Sequence, residues 1–274
     1  MKKYIYPALM ILFAAVFLVS AGLLVDYLID SKKQQSQYDD LANLVDQELN
    51  ATPPNSDNSS GSDTLDANLS KYVTLTNPKT GAAMNILRQY AIIYQKNSDT
   101  VGWIKIDGTN INYPVLQTPD SPNFYLTRDF YKKDSRHGAI YANETASITT
   151  PSDNVTIYGH KMKDGSMFAS LHNYSDINFY IENPYIHFDT LNEQHIYQIF
   201  AIFQTTGNLE DSFPYHTFVD GDEESFNEYV RQCKELSIYE TYVDAAYGDK
   251  LLTLSTCDHS MDNGRYVVVA KRIS

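Results

Sequence analysis

The feature that most restricts the fold of this chain is an uninterrupted apolar run near its start. Residues 7–25 read PALMILFAAVFLVSAGLLV, without a charged side chain. As a helix this run spans about 28 Å, close to the hydrocarbon thickness of a bilayer. Lys2 and Lys3 precede it, so the positive-inside rule predicts a cytoplasmic N-terminus and an extracellular remainder. The sequence predicts a single-pass membrane anchor over residues 1–30; the alternative is a signal peptide cleaved before Gly22.

A polar segment follows the apolar run. The second half of residues 31–71 contains ATPPNSDNSSGSDTLDANLS, which is rich in Ser, Asn, Asp and Pro and poor in apolar side chains. Such a composition cannot bury enough surface to offset the entropy lost on folding, so it is typical of a linker or stalk. We therefore predict a polar linker over residues 31–71 and a folded domain over residues 72–274.

The charge of the chain excludes one class of partner. Its formal net charge is −13 at pH 7, whereas binding to a phosphate backbone requires a basic face. We therefore expect no nucleic-acid partner. Because the sequence also has no recognisable cluster of metal-ligating residues, we expect no metal and no cofactor.

Short runs rich in β-branched and aromatic residues dominate the predicted domain. VGWIKIDG and INYPVLQ flank the turn DGTN, and GAIYAN, NVTIYGH, PYIHFDT, HIYQIFAIFQT, KLLTLSTC and RYVVVAKRI continue the series. Helical spacing occurs at residues 83–97 and at about 222–236. Many short strands and few helices predict a mainly β fold. We expect a closed barrel of about eight strands, with an N-terminal helix and an inserted helix before the last strands.

The two cysteines of the chain lie in different settings. Cys233 shares a helix face with Phe226 and Tyr229, which is typical of a buried structural thiol. Cys257 follows the apolar run 251–254 and ends a predicted strand. A disulfide between them would need a narrow geometry. One structural and one reactive thiol is therefore the favoured interpretation.

A reactive cysteine needs a proton carrier and a donor for the oxyanion it creates. His160 follows an apolar strand and a glycine, at a strand end where rigid scaffolds present reactive groups. His259, two residues from Cys257, is the alternative proton carrier. Arg265 begins the last predicted strand, and it would lie beside Cys257 if the two strands pair. A guanidinium there favours the thiolate and can donate to an oxyanion.

Three motifs, in this order, resemble the sortases, specifically class B. They are TVGWIKIDGTNINYPVLQ, YGHKMKDGSMFASL, and TLSTC followed by an arginine and VVVAKR. The resemblance covers about residues 72–274 and implies a cysteine transpeptidase of Gram-positive cell surfaces. It implies that Cys257 is the nucleophile, His160 the acid and base, and Arg265 the residue that stabilises the oxyanion and orients the substrate.

The resemblance also implies substrates and partners. These are exported proteins whose C-terminal sorting signals carry an Asn-Pro-x-Thr-(Gly/Asn)-like peptide, cut after threonine, and a peptidoglycan precursor whose amine accepts the acyl group. Ser255 and Leu116 match positions near the substrate groove of such enzymes, and Tyr215 is a further candidate. No cofactor is implied.

Other functions remain open from the sequence. A pilus-polymerising sortase would use a pilin lysine as acceptor, and a cysteine protease would use the same three groups with water. An L,D-transpeptidase is disfavoured because its usual Ser-x-Gly-Cys setting is absent. The non-enzymatic alternative is an anchored wall-binding domain in which Cys257 is merely buried.

Residues 77–81 read Asn-Pro-Lys-Thr-Gly, like a sorting motif within the chain itself. A pseudosubstrate or a site of self-release is the functional interpretation. However, no apolar span and basic tail follow the motif. Asparagine is a good N-cap and proline suits the first helical position, so we favour a structural role at the start of the predicted 83–97 helix.

Overall fold

Strands are the most abundant regular elements in the described residues after residue 70. The computed structural model describes residues 2–50, 71–208, 212–258, 260 and 263–274. Within these residues the strands are β1 (Tyr72–Thr76), β2 (Ala83–Leu87), β3 (Thr100–Lys105), β4 (Asn112–Leu116), β5 (Tyr141–Ala142), β6 (Asn154–Tyr158), β7 (Tyr185–Thr190), β8 (Ile196–Thr206), β9 (Leu251–Asp258) and β10 (Gly264–Arg272). The α-helices are α1 (Lys2–Asn50), α2 (Arg88–Lys96), α3 (Ile177–Glu182) and α4 (Glu223–Leu236). Short 3-10 helices cover Phe124–Leu126 and Ala169–Ser175.

Eight of the strands close into a barrel in the order β10-β8-β7-β3-β4-β5-β6-β9, which confirms the predicted mainly β fold. Closure removes the exposed edges that an open sheet would present. Neighbouring strands pair antiparallel except at β4–β5 and β6–β9, which are parallel. Because β6 and β9 run in the same direction, their C-terminal ends meet on the same side of the barrel. The predicted reactive residues lie at these two ends.

The predicted inserted helix is α4. Asp222 caps it, its side chain accepting a hydrogen bond from the Ser225 N–H at 3.0 Å. The apolar face of α4 is buried with Phe200 and Phe203 of β8 in one hydrophobic cluster. Cys233 lies in this cluster, fully buried, and burial raises the pKa of its thiol. Both Cys233 and Cys257 are free, so the two cysteines form no disulfide.

The helix predicted over residues 83–97 begins later than the periodicity indicated. Residues 83–87 form β2, which pairs with β1 in a separate two-stranded sheet, and α2 starts at Arg88. Ile86 and Leu87 are fully buried, and the Leu87 N–H donates to the Leu191 carbonyl at 2.7 Å. Strand pairing therefore overrides a pattern that fits a helix equally well.

Residues 77–81, the motif that resembles a sorting signal, form the loop of this hairpin. The Asn77 N–H donates to the Ala82 carbonyl at 2.8 Å, and the Gly81 N–H donates to the Asn77 carbonyl at 2.8 Å. The Asn77 side chain accepts from the Lys79 N–H at 2.8 Å, as in an Asx turn. Gly81 has a φ of +73°, which favours glycine. The motif has a structural role, but at a hairpin turn rather than at the start of a helix.

We expect the chain to remain uncut between Thr80 and Gly81. A bound peptide must be extended to be cleaved, whereas this loop is folded on itself by its own hydrogen bonds. Lys79 also forms an ion pair of 2.7 Å with the buried carboxylate of Asp99, which holds the loop in place. Intact-mass spectrometry of the full chain in detergent, after long incubation with and without an amine, tests this. A fragment beginning at Gly81 that is absent from the Cys257→Ala variant would contradict it.

Helix α1 extends through much of the segment predicted as a linker. It is described as far as Asn50, so residues 31–50 are helical, while residues 51–70 lie outside the described part of the chain. Leu41 and Val45, one helical turn apart, are buried. The compact unit that contains the barrel spans Leu41–Ser274. A prediction from composition does not detect the helical spacing of these two apolar side chains, because the segment around them is polar.

The other compact unit is Met1–Asp40. Its part of α1 is long and apolar enough to cross a membrane, by length and composition. Large apolar side chains such as Phe13, Phe17 and Leu23 are exposed there. This helix is therefore compatible with the predicted membrane anchor.

Candidate active site

Cys257 and Arg265 are direct cross-strand neighbours. β9 and β10 pair antiparallel with Cys257 opposite Arg265, as expected if the two strands pair. Residues opposite each other in such a pair lie on the same face, with Cβ atoms about 4.5–5.5 Å apart. This pairing places the guanidinium on the same side of the sheet as the thiol.

His160 reaches the same place from the other side of Cys257. β6 runs parallel to β9 with Tyr158 opposite Ser255, and the Gly159 N–H donates to the Ser255 carbonyl at 3.2 Å. His160 follows the end of β6 and Cys257 lies near the end of β9; both line the same cavity, and each side chain shifts the pKa of the other. The ends of β6, β9 and β10 therefore place His160, Cys257 and Arg265 in a row.

A backbone carbonyl orients the His160 ring. His160 Nε2 lies 2.7 Å from the Leu126 carbonyl oxygen. Because a carbonyl can only accept, Nε2 carries a proton, and Nδ1 is left to interact with the thiol. Gly138 leaves room for the contact between His160 and Leu126 because it has no side chain. A Cβ there would lie 2.6 Å from the same carbonyl oxygen and 3.1 Å from His160 Cδ2.

The electrostatics of the pair favour the reactive thiolate. The hydrogen bond with His160 lowers the pKa of Cys257 against the opposing effect of burial, and the positive charge of Arg265 lowers it further. The same hydrogen bond raises the pKa of His160 against burial, and the bond to Leu126 adds to the rise. A lowered thiol pKa beside a raised imidazole pKa favours a thiolate on Cys257 and an imidazolium on His160. The thiolate is the form of cysteine that attacks a carbonyl carbon.

Arg265 is held by only part of its guanidinium. Nη1 donates to the Asn263 carbonyl at 3.1 Å and to the Gly264 carbonyl at 2.9 Å. Nη2 lies close to Gly207, where an added Cβ would be 3.2 Å away. Among the described residues, the hydrogen bonds of this side chain use Nη1 alone. The remaining N–H groups are available to a bound carbonyl oxygen.

Five of the six residues predicted for the site line a single cavity of about 370 Å³. They are His160, Cys257, Arg265, Ser255 and Tyr215. Ser255 and Tyr215 are buried, and their hydroxyl oxygens are 2.7 Å apart, so they form one hydrogen-bonded wall. The structure thus brings together residues that are up to about a hundred positions apart in the sequence.

Leu116 is the predicted residue that the structure does not bring to this cavity. It is fully buried at the end of β4, where its parallel partner Tyr141 lines the cavity instead. Residues 113–116 of β4 are all buried, so the strand has no polar face to indicate orientation. The match of Leu116 to a groove position therefore has no support from the geometry.

Further residues of the cavity were missed by sequence reasoning. They are Asn123, Leu126, Tyr141, Glu144, Tyr158, Gly159, Gly207, His216 and Thr256. Tyr141 and Tyr158 are cross-strand partners with ring centroids 5.3 Å apart, and the Tyr141 hydroxyl donates to Asn123 Oδ1 at 3.0 Å. Tyr158 could have been found from its position at the same strand end as His160. Glu144 follows β5 in a loop and had no local signal.

Asp258, which follows Cys257 directly, does not face the cavity. Its carboxylate accepts from Gln204 Nε2 at 2.8 Å and from the Ser260 N–H at 2.9 Å, on the other face of the strand. The carbonyl of Leu126, rather than this acid, therefore orients His160. His259, the alternative proton carrier, lies outside the described residues.

Comparisons with known proteins point to one family. The family model described as the Sortase domain matches residues 104–273. Sortase B of Listeria monocytogenes is 34% identical over 183 residues, 65% of this chain and 71% of that protein. Sortase B of Staphylococcus aureus is 33% identical over 187 residues, 68% of this chain and 75% of that protein. The solved Staphylococcus aureus sortase B–substrate complex superposes with a TM-score of 0.70 at 26% identity, covering 90% of this chain and 99% of the solved one.

Proposed function

This chain belongs to the sortase family and is a sortase transpeptidase, and from the geometry of its cavity we propose a specific reaction. It cleaves an Asn-Pro-x-Thr-(Gly/Asn)-like sorting signal after threonine and passes the acyl group to an amine of a cell-wall precursor. The observation that carries the proposal is the row of three strand ends that flanks Cys257 with His160 and Arg265.

In the first half of the proposed reaction, the Cys257 thiolate attacks the threonine carbonyl carbon. The carbonyl oxygen becomes an oxyanion, and the free N–H groups of Arg265 donate to it. His160, as the imidazolium, gives its proton to the departing amine as the carbon–nitrogen bond breaks. The result is a thioester between threonine and Cys257, a released amine and a neutral imidazole.

In the second half, an incoming amine attacks the thioester. His160 takes the proton that the amine loses, and Arg265 again stabilises the oxyanion. Collapse expels the Cys257 thiolate, forms the new amide bond and restores the imidazolium. Transfer to an amine rather than to water requires that the acceptor be held in the cavity while water is disfavoured.

The proposed partners follow from this chemistry and from the anchor. The apolar part of α1 would hold the chain in the cell membrane with its N-terminus cytoplasmic and its catalytic domain extracellular. There both exported proteins with C-terminal sorting signals and lipid-linked peptidoglycan precursors are within reach. Ser255 and Tyr215 form the wall of the cavity that would contact the sorting peptide.

A transfer assay tests the proposed reaction. The full chain in detergent is incubated with a fluorogenic Asn-Pro-x-Thr-Gly peptide, with and without triglycine, and the products are identified by mass. We expect cleavage after threonine and a new threonine–glycine amide when triglycine is present. Hydrolysis that triglycine never diverts would instead indicate a cysteine protease. Preference for a lysine side chain as acceptor would indicate a pilus-polymerising enzyme.

Replacing His160 with alanine is expected to lower the rate of acylation about 10²- to 10⁴-fold, because the leaving amine loses its proton donor. His216 is a matched control, since it lines the same cavity, yet burial and the charge of Arg265 lower its pKa. His216→Ala should retain acylation, as should His259→Ala. Intact-mass detection of the acyl-enzyme measures all three, and acylation that survives in His160→Ala but not in His216→Ala would reverse the assignment.

The same variant carries an expected pH dependence. Since the hydrogen bond with His160 lowers the pKa of Cys257, the thiolate of the intact protein persists to lower pH than an ordinary thiolate. Alkylation of Cys257 by neutral iodoacetamide should therefore begin at lower pH in the intact protein than in His160→Ala. The pH at which the alkylation rate is half its maximum should be higher in the variant.

A further inference from the structure

The cavity contains one carboxylate to which the proposed reaction gives no role. Glu144 lines the cavity together with Cys257 and Arg265. It is partly buried, and among the residues that the structure describes none forms a hydrogen bond or an ion pair with its carboxylate. A carboxylate that no described protein group pairs is open to a ligand of opposite charge.

The loop that presents Glu144 is held in place by buried hydrogen bonds. The side-chain amide of Gln117 donates to the Asn143 carbonyl at 2.7 Å and to the Ala146 carbonyl at 2.8 Å, on either side of Glu144. The Asn143 N–H donates to the Thr156 carbonyl at 2.8 Å. Gln117 is itself buried. The backbone that carries Glu144 is therefore held at the cavity.

Glu144 and Arg265 enter the cavity from different strands of the barrel. Arg265 begins β10, Glu144 follows β5, and β9 and β6 lie between these strands in the barrel. At about 4.8 Å per strand, β5 and β10 are about 14 Å apart along the sheet. Cys257 lies on β9, between them. The cavity thus receives a cation from β10, for a carbonyl oxygen, and an anion from the loop after β5, two strands beyond the strand of the thiol.

Two aromatic rings share the cavity with Glu144. Tyr141 and Tyr158 both line it, and burial is the largest cause that raises the pKa of each phenol; the charge of Glu144 adds to the rise and the charge of Arg265 opposes it. Their hydroxyls therefore stay neutral at physiological pH. A carboxylate next to aromatic rings is an environment that binds an organic cation through an ion pair and cation–π contacts.

We propose that Glu144, with the rings of Tyr141 and Tyr158, forms a subsite for a primary ammonium group in the part of the cavity that lies on the β5 side of Cys257. This proposal rests on the proposed function, which supplies the identity of the ligand. Two sources carry this chemistry: a lysine at the variable position of the sorting peptide, and the amine of the acceptor. Both bring a protonated amine close to the thioester, on the β5 side of Cys257.

Thiol labelling tests the subsite without any peptide. The full chain in detergent is treated with 2-aminoethyl methanethiosulfonate, which carries a primary ammonium, or with the anionic 2-sulfonatoethyl reagent, and labelling of Cys257 is followed by mass. The ratio of the two rates cancels changes in thiolate content. Glu144→Gln should lower the cationic-to-anionic ratio about threefold to tenfold. The control Glu182→Gln removes the same charge from an exposed residue of α3 and should leave the ratio unchanged.

Peptide kinetics distinguish the two sources. kcat/KM is measured without acceptor for peptides with Lys, Gln or Glu at the variable position, and the KM for triglycine is measured separately. Loss of a Lys-over-Gln preference in Glu144→Gln assigns the subsite to the peptide side chain, and Glu144→Lys should then favour the Glu peptide. A raised KM for triglycine with unchanged peptide preference assigns it to the acceptor.

The outcomes that overturn the proposal are separate from those that overturn the proposed function. An unchanged labelling ratio in Glu144→Gln refutes the ammonium subsite even if the enzyme cleaves peptides normally. Conversely, a shifted ratio in a protein that cleaves no sorting peptide supports the subsite and refutes the proposed substrate.

Discussion

Cys257→Ala is expected to abolish cleavage and transfer of an Asn-Pro-x-Thr-Gly peptide, whereas Cys233→Ala keeps both. Without the thiolate no thioester can form, and the remaining groups can only position water. Removing a catalytic nucleophile generally costs more than about 10³ in rate. The contrast between the cysteines is physical: the pKa of Cys257 is lowered by His160, whereas burial raises the pKa of Cys233.

The Cys233 variant has a separate cost. Cys233 is fully buried with Phe203 and Phe226 in the cluster under α4, so its truncation removes packing from the core. We expect a loss of about 1 kcal/mol in the free energy of unfolding, typical of a small core truncation. Thermal unfolding and peptide cleavage, measured on both variants, separate the two effects. Equal loss of activity in folded samples of both would refute the assignment of Cys257 as the sole nucleophile.

The barrel could be predicted because its strands are encoded locally. Alternating runs such as YIHFDT and apolar runs such as LLTLST carry their own β signal, and turns rich in Asp, Asn and Gly separate them. Cys257, His160 and Arg265 could be predicted because each lies at the end of such a run. Cross-strand pairing then places strand ends together without any side-chain detail.

What the sequence left undetermined depends on contacts between distant segments. Residues 83–87 fit a helical pattern, and only pairing with β1 makes them a strand. Leu116 lies in a strand buried on both faces, so no alternation could indicate which side it takes. Glu144 enters the cavity through a loop fixed by Gln117, a long-range hydrogen bond that leaves no periodic trace.

Arg265→Lys is expected to be nearly as damaging as Arg265→Ala. In both variants kcat/KM should fall about 10²- to 10³-fold, the cost of losing one oxyanion donor in other acyl-transfer sites. Lysine keeps the positive charge, but it has no planar array of N–H groups. Nη1 of Arg265 donates to the carbonyls of Asn263 and Gly264, and its other N–H groups can donate to the substrate.

A lysine ammonium cannot satisfy both demands, because one compact charge must either stay with the strand carbonyls or move to the oxyanion. Arg272→Lys, the same change at the far end of β10, should leave kcat/KM within about twofold and serves as the matched control. Steady-state cleavage of the fluorogenic peptide measures all three variants. Near-normal activity of Arg265→Lys would mean that charge alone is needed, as if Arg265 acted only by lowering the pKa of Cys257. In that case the pH dependence of Cys257 alkylation by iodoacetamide should move to higher pH in Arg265→Ala and stay unchanged in Arg265→Lys.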